Sequence, residues 1–387
     1  MNTIDDYIKW RGDLTFDVAP VNNIDIVIFS QITMLFLETL ITYNDSIKFE
    51  ELMNKYYEIY KNDSIGLIIP GSITDILLMA SKEKRYKDLF IEKYINIIDE
   101  DKEEQFCALT IKICPNTTCV IFSGTDDTIV GWKENLNLLL EKDTHAQIDS
   151  EKYIENLYNN NYFENSNIII AGHSKGGNLA MYAATNVKKE IQERIIKVFN
   201  IDGPGFTKQF FETKKYNRVK DKIVEIIPKD SVVGRLFEHQ ERQLVVNSNA
   251  KGLMQHDVFT WNIARDDFEI IEEISANSNH VELKIKNLID TLDNEGKEMF
   301  INSIYRLMKV NNNKLLNNLK NNKIAIAKAY LNLSKEEKKI ILTSINHLSR
   351  DGIIRNGVIK SILALEKHNR QIKAKNKMES KKISSQQ

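Results

Sequence analysis

A serine hydroxyl is a weak nucleophile at neutral pH, so a chain that uses one must also supply a base for its proton and an acid to orient that base. One serine here sits in a suitable setting. Gly172-His173-Ser174-Lys175-Gly176 matches G-x-S-x-G, a spacing in which small flanking residues let backbone pass close to a serine at the apex of a strained turn. Before it, Ile168 to Ala171 reads as a buried strand; after it, the chain from Ser174 to Ala184 reads as a helix of small residues. That context makes the five-residue pattern a nucleophile elbow centred on Ser174. The helix beginning there would aim its unpaired N–H groups, that of Lys175 first, at a developing oxyanion.

The elements that must position this turn follow from periodicity. Residues 1–100 read as a mainly helical region packed on the core, with three- and four-residue apolar spacing over Phe49 to Tyr60 and Ser72 to Met79. The apolar run Ile24 to Tyr43 is broken by Asp25, Gln31 and Glu38, which suits a buried helix better than a bilayer span. From Gln105 the period becomes two. Phe106 to Ile113, a turn at Pro115 and Asn116, and Cys119 to Phe122 predict a hairpin that runs into Ser123-Gly124-Thr125. Helices over 133–165, the elbow strand, and strands at Lys197 to Ile201, Lys222 to Ile227 and Arg242 to Val246 follow. Strands alternating with helices predict an α/β fold over 101–277, an α/β-hydrolase core with a mostly parallel central sheet. Over 278–369 no strand signal remains, and Ser334 with Glu337 forms a capping box; this is a helical C-terminal appendage. Residues 370–387, rich in Lys and Ser, read as a disordered tail.

In an α/β-hydrolase elbow the acid and the base follow the nucleophile in the order Ser, Asp or Glu, His. Two acids end strands beyond Ser174: Asp202, in the turn Asp202-Gly203-Pro204-Gly205, and Asp230, just past Pro228. Asp230 is favoured because it lies one strand nearer the candidate histidine; Asp202 is the alternative, with a turn-forming role of its own. Among seven histidines, His256 sits in a loop with polar and aromatic neighbours and is the expected base. His239 also follows both acids, within a charged, solvent-facing segment. His173 is expected to pack, because the turn points it away from the neighbouring hydroxyl. The oxyanion donors would be the Lys175 N–H and Thr125; losing one such donor costs roughly 3 kcal/mol of transition-state stabilisation. No cofactor and no metal are needed.

Across 387 residues, 42% hydrophobic and 28% charged, the formal net charge is -1, which gives no global pull toward nucleic acid. Three cysteines, Cys107, Cys114 and Cys119, lack zinc-site spacing and read as reduced thiols in a cytoplasmic protein. The opening residues Met1 to Asp6 are acidic and polar, unlike a secretory signal. Arg11-Gly12-Asp13 reads as part of a packed N-terminal arm anchored by Trp10, Leu14 and Phe16 rather than as a recognition triplet.

Four motifs occur together: Tyr7 to Phe16, Phe122 to Trp132, Gly172 to Ala180, and Asn200 to Phe206. In these the chain resembles the Mbeg-like family of bacterial α/β-hydrolases, a domain of unknown function related to class 3 lipases. The resemblance covers nearly the whole length apart from the tail. Similarity to class 3 lipases implies that Phe122-Ser123-Gly124-Thr125 corresponds to their oxyanion strand, supporting Thr125, and that Asp230 corresponds to their post-strand acid. The chain departs from those lipases in Ser123, where they carry Arg, in Lys175, where they carry Leu, and in a charged segment after Trp132, where a lid would lie. These departures put a soluble or dispersed ester on at least an equal footing with bulk lipid.

The expected function is hydrolysis of a carboxylic ester, small or lipid-like, through an acyl-enzyme on Ser174. The alternative is a catalytically silent scaffold on the same fold, or a protein whose main role is partner contact through its helical C-terminal region.

Overall fold

The computed structural model of the chain describes residues 2–61, 70–140, 142–239 and 243–349. The chain forms two compact units, 1–286 and 287–387. The first unit opens with α1 (Ile4–Arg11), α2 (Asn23–Ile32), β1 (Ser46–Lys48), α3 (Phe49–Tyr60) and α4 (Ile73–Lys82). A meander of β2 (Phe90–Asp99), β3 (Glu104–Cys114) and β4 (Thr117–Phe122) follows, then α5 (Ile129–Asn137) and α6 (His145–Asn159). Next come the central strand β5 (Asn167–His173), α7 (Lys175–Asn186), α8 (Lys189–Arg194) and β6 (Ile195–Ile201). Short helices α9 (Lys208–Phe211) and α10 (Lys214–Asn217) lead to β7 (Ile223–Pro228) and β8 (Leu244–Val246). The unit closes with β9 (Ile263–Ala264), β10 (Asp267–Phe268), β11 (Ile270–Ile271) and α11 (Ala276–Asp290), within which the division between units falls.

Nine strands form one sheet in the order β1-β2-β3-β4-β5-β6-β7-β8-β11. β4 through β8 pair in parallel, and the pairings outside them are antiparallel. The sheet is therefore mixed, with its parallel part in the centre. Alternate side chains of β5 feed two cores. Ile169 and Ala171 join a cluster with α1 to α4 on one face, whereas Ile168 and Ile170 join a cluster with α6, α7 and α8 on the other. A strand covered on both faces needs apolar residues at every position, which is why this run is continuously hydrophobic.

The hairpin and the strands expected at 197–201, 222–227 and 242–246 are present as β3 with β4, β6, β7 and β8, the last beginning at Leu244. Two readings change. The stretch expected to be helical up to residue 100 ends in the ten-residue strand β2. Its alternation is masked by an irregularity between Glu92 and Ile95, where Lys93 adopts φ 56°, so the period-two signal is split in half. The buried helix expected over Ile24 to Tyr43 stops at Ile32 and continues as turns.

The N-terminal arm is held by a buried ion pair. Arg85 donates to Asp25 at 2.8 and 2.5 Å and to the carbonyls of Leu14, Ala19 and Pro20, with Phe16 beneath its guanidinium at 4.1 Å. Phe16 anchors as expected, but Trp10 is 55% exposed and does not.

The second unit contains α12 (Asn294–Met308), α13 (Lys323–Leu331) and α14 (Lys335–Ser349) around Leu307, Ile326, Tyr330, Leu333 and Ile341. The capping box at the start of α14 is formed: Ser334 N–H donates to Glu337 at 2.7 Å, and Glu337 N–H to the Ser334 hydroxyl at 3.1 Å. The tail expected over 370–387 lies outside the described residues.

Candidate active site

Ser174 stands between β5 and α7 with φ 59° and ψ -129°, a conformation that few non-glycine residues adopt. The turn closes so tightly that a Cβ on Gly172 would lie 2.2 Å from the backbone of Gly176, and one on Gly176 would lie 2.1 Å from the Phe122 carbonyl oxygen. Glycine is obligatory at both positions. The Ser174 N–H donates to the Ile201 carbonyl at 2.9 Å, tying the elbow to the end of β6.

The next residue after Ile201 is Asp202, at φ 44°, and its carboxylate is the centre of the site. Its Oδ2 lies 2.6 Å from His256 Nδ1. Its Oδ1 accepts from the Ser231 hydroxyl at 2.5 Å and from the Gly234 N–H at 3.1 Å. Gly234 approaches closely enough that a Cβ there would sit 2.5 Å from that oxygen. Asp202 is 1% exposed and His256 27%, so the acid is sealed while the ring reaches solvent. His256 lies in a 3-10 turn over Gly252–His256, and its ring sits against that of His173 with centroids 4.5 Å apart. His173 belongs to the elbow, so this contact brings the His256 ring to the turn that carries Ser174.

Asp230 is not the partner of His256. Its Oδ2 accepts from the Gly252 N–H at 3.1 Å and from Gln255 Nε2 at 3.2 Å, so it braces the turn that carries the histidine. The reason is sheet order. β6 is the immediate neighbour of β5, so an acid ending β6 faces the elbow, while Asp230 follows β7, one strand further out, and its preceding residue Lys229 bonds toward Val246 of β8. Asp202, and not the favoured Asp230, is the acid that meets His256.

His239 is engaged elsewhere, with Nδ1 2.8 Å from Glu225 Oε2 and Nε2 3.2 Å from the Leu236 carbonyl. Its own side chain does not face solvent, contrary to expectation, being only 8% exposed. His173 packs, as expected. Burial, and next the charge on His256, hold its imidazole well below the usual range, so the ring stays neutral.

Thr125 and Lys175 flank the elbow. A Cβ on Gly124 would lie 3.3 Å from Ser174 Cβ and 3.5 Å from Met34 Sδ, so the strand end bearing Thr125 passes directly beside the serine. Thr125 is buried and its hydroxyl accepts from Asn135 Nδ2 at 2.5 Å. Lys175 is the first residue of α7, and its side chain turns inward to Glu134 at 2.8 Å and Gln105 at 2.6 Å. Within the charged segment after Trp132, Glu134 is 1% exposed and serves as the counter-ion of Lys175. The reading of the sequence missed Asp202 as first choice, and Gln105, Glu134 and Asn135 altogether. The lysine directly after Ser174 was the available signal, since a charge at so buried a position requires a partner. Among the described residues no group of three or more His, Cys, Asp or Glu could hold a metal ion. No helix among them is long and apolar enough to cross a membrane.

A family model described as Mbeg1-like matches residues 80–306, more than half of the chain. The chain belongs to the Mbeg1-like family. No curated protein matches it. Among solved structures it is similar to M37 lipase, with 14% identity, a TM-score of 0.36, and coverage of 54% of this chain and 68% of that one. It is also similar to the Rhizomucor miehei lipase in its propeptide complex, with 17% identity, a TM-score of 0.36, and coverage of 53% and 67%. The match to the Mbeg1-like model includes the elbow, Asp202 and His256.

Proposed function

We propose that this protein is a serine hydrolase of the α/β-hydrolase type that cleaves a carboxylic ester through an acyl-enzyme on Ser174. His256 Nε2 takes the Ser174 proton as Oγ attacks the ester carbonyl carbon. The resulting oxyanion is met by the Lys175 N–H at the start of α7 and by Thr125. Collapse expels the alcohol, which leaves with the proton from His256. A water molecule, deprotonated by the same ring, then attacks the acyl-enzyme and returns the acid and free Ser174. Asp202 holds Nδ1–H, keeping the other ring nitrogen available as base and stabilising the imidazolium that forms.

The observation that carries this reading is the 2.6 Å contact between His256 Nδ1 and a fully buried Asp202, set beside a serine in a left-handed elbow. Two further hydrogen bonds to Asp202 saturate its other oxygen, so the carboxylate has one remaining task, which is orienting the ring. A fluorophosphonate probe is expected to label the folded protein, and Ser174→Ala to abolish labelling. Folded wild type that resists the probe would remove the hydrolase reading; labelling that persists in Ser174→Ala would move the nucleophile elsewhere.

A further inference from the structure

Glu134 and Asn135 take no part in the steps above, yet each grips one of the two oxyanion donors. They are consecutive residues of α5. Glu134 Oε2 accepts from Lys175 Nζ at 2.8 Å, and Asn135 Nδ2 donates to Thr125 Oγ1 at 2.5 Å. The first grip is made away from water, with Lys175 2% and Glu134 1% exposed. Gln105 completes it, accepting from Nζ through both its side-chain and main-chain oxygens.

The carboxylate is itself fixed at both ends. Its Oε2 also accepts from the Gln105 N–H at 3.0 Å, and its Oε1 accepts from the Ala146 N–H at 2.9 Å, in the first turn of α6. Burying two charges is an expensive way to fill space, and apolar residues of the same volume commonly serve as well or better. What an ion pair adds over an apolar contact is direction, because its hydrogen bonds fix where each end points. Here the fixed end is the first residue of α7, whose N–H must face the oxyanion. We propose that Glu134 and Asn135 are positioning residues that hold the Lys175 N–H and Thr125 in register with Ser174, so that α5 sets the geometry of the oxyanion hole. The proposal rests on the reading of Ser174 as nucleophile.

The test compares wild type with Glu134→Gln and Asn135→Ala in the rate of phosphonylation by a fluorophosphonate, separating the limiting rate from the half-saturating probe concentration. Small displacement of a catalytic group costs up to about 10²-fold in rate, so each variant is expected to lose about ten- to a hundredfold in the limiting rate while probe binding stays within about twofold. Asp25→Asn weakens the buried ion pair with Arg85 and serves as the stability control, melting lower with the rate unchanged. Glu134→Leu/Lys175→Leu removes both charges at once and leaves no lone buried ion, so it keeps the test decisive should Glu134→Gln not fold. It is expected to lose limiting rate to the same extent. Folded variants that melt lower but react at the wild-type rate overturn the proposal and leave the hydrolase reading standing. Folded wild type that is never labelled removes both.

Discussion

Asp202 with His256 and Glu225 with His239 are the same chemical pair on neighbouring strands, a buried carboxylate meeting Nδ1 of an imidazole at 2.6 and 2.8 Å. Both acids are 1% exposed. What differs is what surrounds the ring. His239 has its second nitrogen 3.2 Å from the Leu236 carbonyl and is 8% exposed, so neither nitrogen is left to meet a substrate. His256 is 27% exposed, and no hydrogen bond engages its Nε2 among the described residues. Position in the strand explains the rest. Glu225 lies within β7, among paired strands, whereas Asp202 lies one residue beyond β6, at the carboxyl edge of the parallel strands where open α/β sheets bind ligands. A carboxylate–histidine pair becomes chemistry only when one ring nitrogen is left open at that edge.

The largest way to break this contrast is to neutralise each acid in turn. Asp202→Asn lets the ring adopt the wrong tautomer and is expected to lower turnover, or the labelling rate, on the order of 10⁴-fold without unfolding the chain. Glu225→Gln is expected to leave the rate within a small factor. If Glu225→Gln silenced a folded protein, the distinction between the pairs would fail. A smaller effect is expected for His239→Ala, which leaves the buried Glu225 carboxylate with Gln243 Nε2 as its remaining side-chain donor among the described residues. It should cost about 3 kcal/mol in urea unfolding while the probe still labels Ser174. Asp230→Ala sharpens the choice between the two acids. It removes two hydrogen bonds that brace the turn of His256, and is expected to cost about 1.5 kcal/mol of stability with only a modest change in rate. A loss of rate matching that of Asp202→Asn would return the acid's role to Asp230.

The elbow was legible in the sequence because its requirements are local: an apolar strand, glycines that nothing else can replace, and a small-residue helix. His256, favoured for its loop with polar and aromatic neighbours, is the histidine that meets Asp202. Asp202 was not legible, because which acid faces Ser174 depends on strand order, and order is set by pairing across the sheet. β6 and β7 look alike as isolated apolar runs. Only the register that puts Gly172 beside Asn200 and His173 beside Ile201 shows that the Asp202 turn adjoins the elbow. The grip of Glu134 on Lys175 was hidden for a similar reason, since 41 residues separate them and α5 reads as a polar helix. β2 was lost to its irregularity at Lys93, which breaks the very alternation that marks a strand.

A third histidine sharpens the contrast further. His173 adjoins Ser174 in sequence and its ring lies 4.5 Å from that of His256, yet it is 7% exposed and its Nε2 is buried with no hydrogen-bond partner among the described residues. Burial opposes its protonation, and so does the electrostatic effect of the neighbouring His256, so its pKa lies well below 6.5. The two adjacent rings therefore differ, one reaching solvent and the other buried and neutral. The sign for stability follows from linkage. Below pH 6.5 the unfolded chain binds a proton at this residue that the folded chain excludes, so His173 makes the fold less stable as pH falls through that window. His173→Phe removes that dependence. The unfolding free energy of wild type relative to the variant should fall as pH drops from 6.5, by at most about 1.4 kcal/mol per pH unit, and level off above it. Asp257, whose carboxyl burial pushes upward, contributes equally to both proteins and cancels in the difference. Parallel stability curves for the two proteins between pH 5 and 7 would mean that His173 takes up a proton in the folded state, and the division between the two rings would fall.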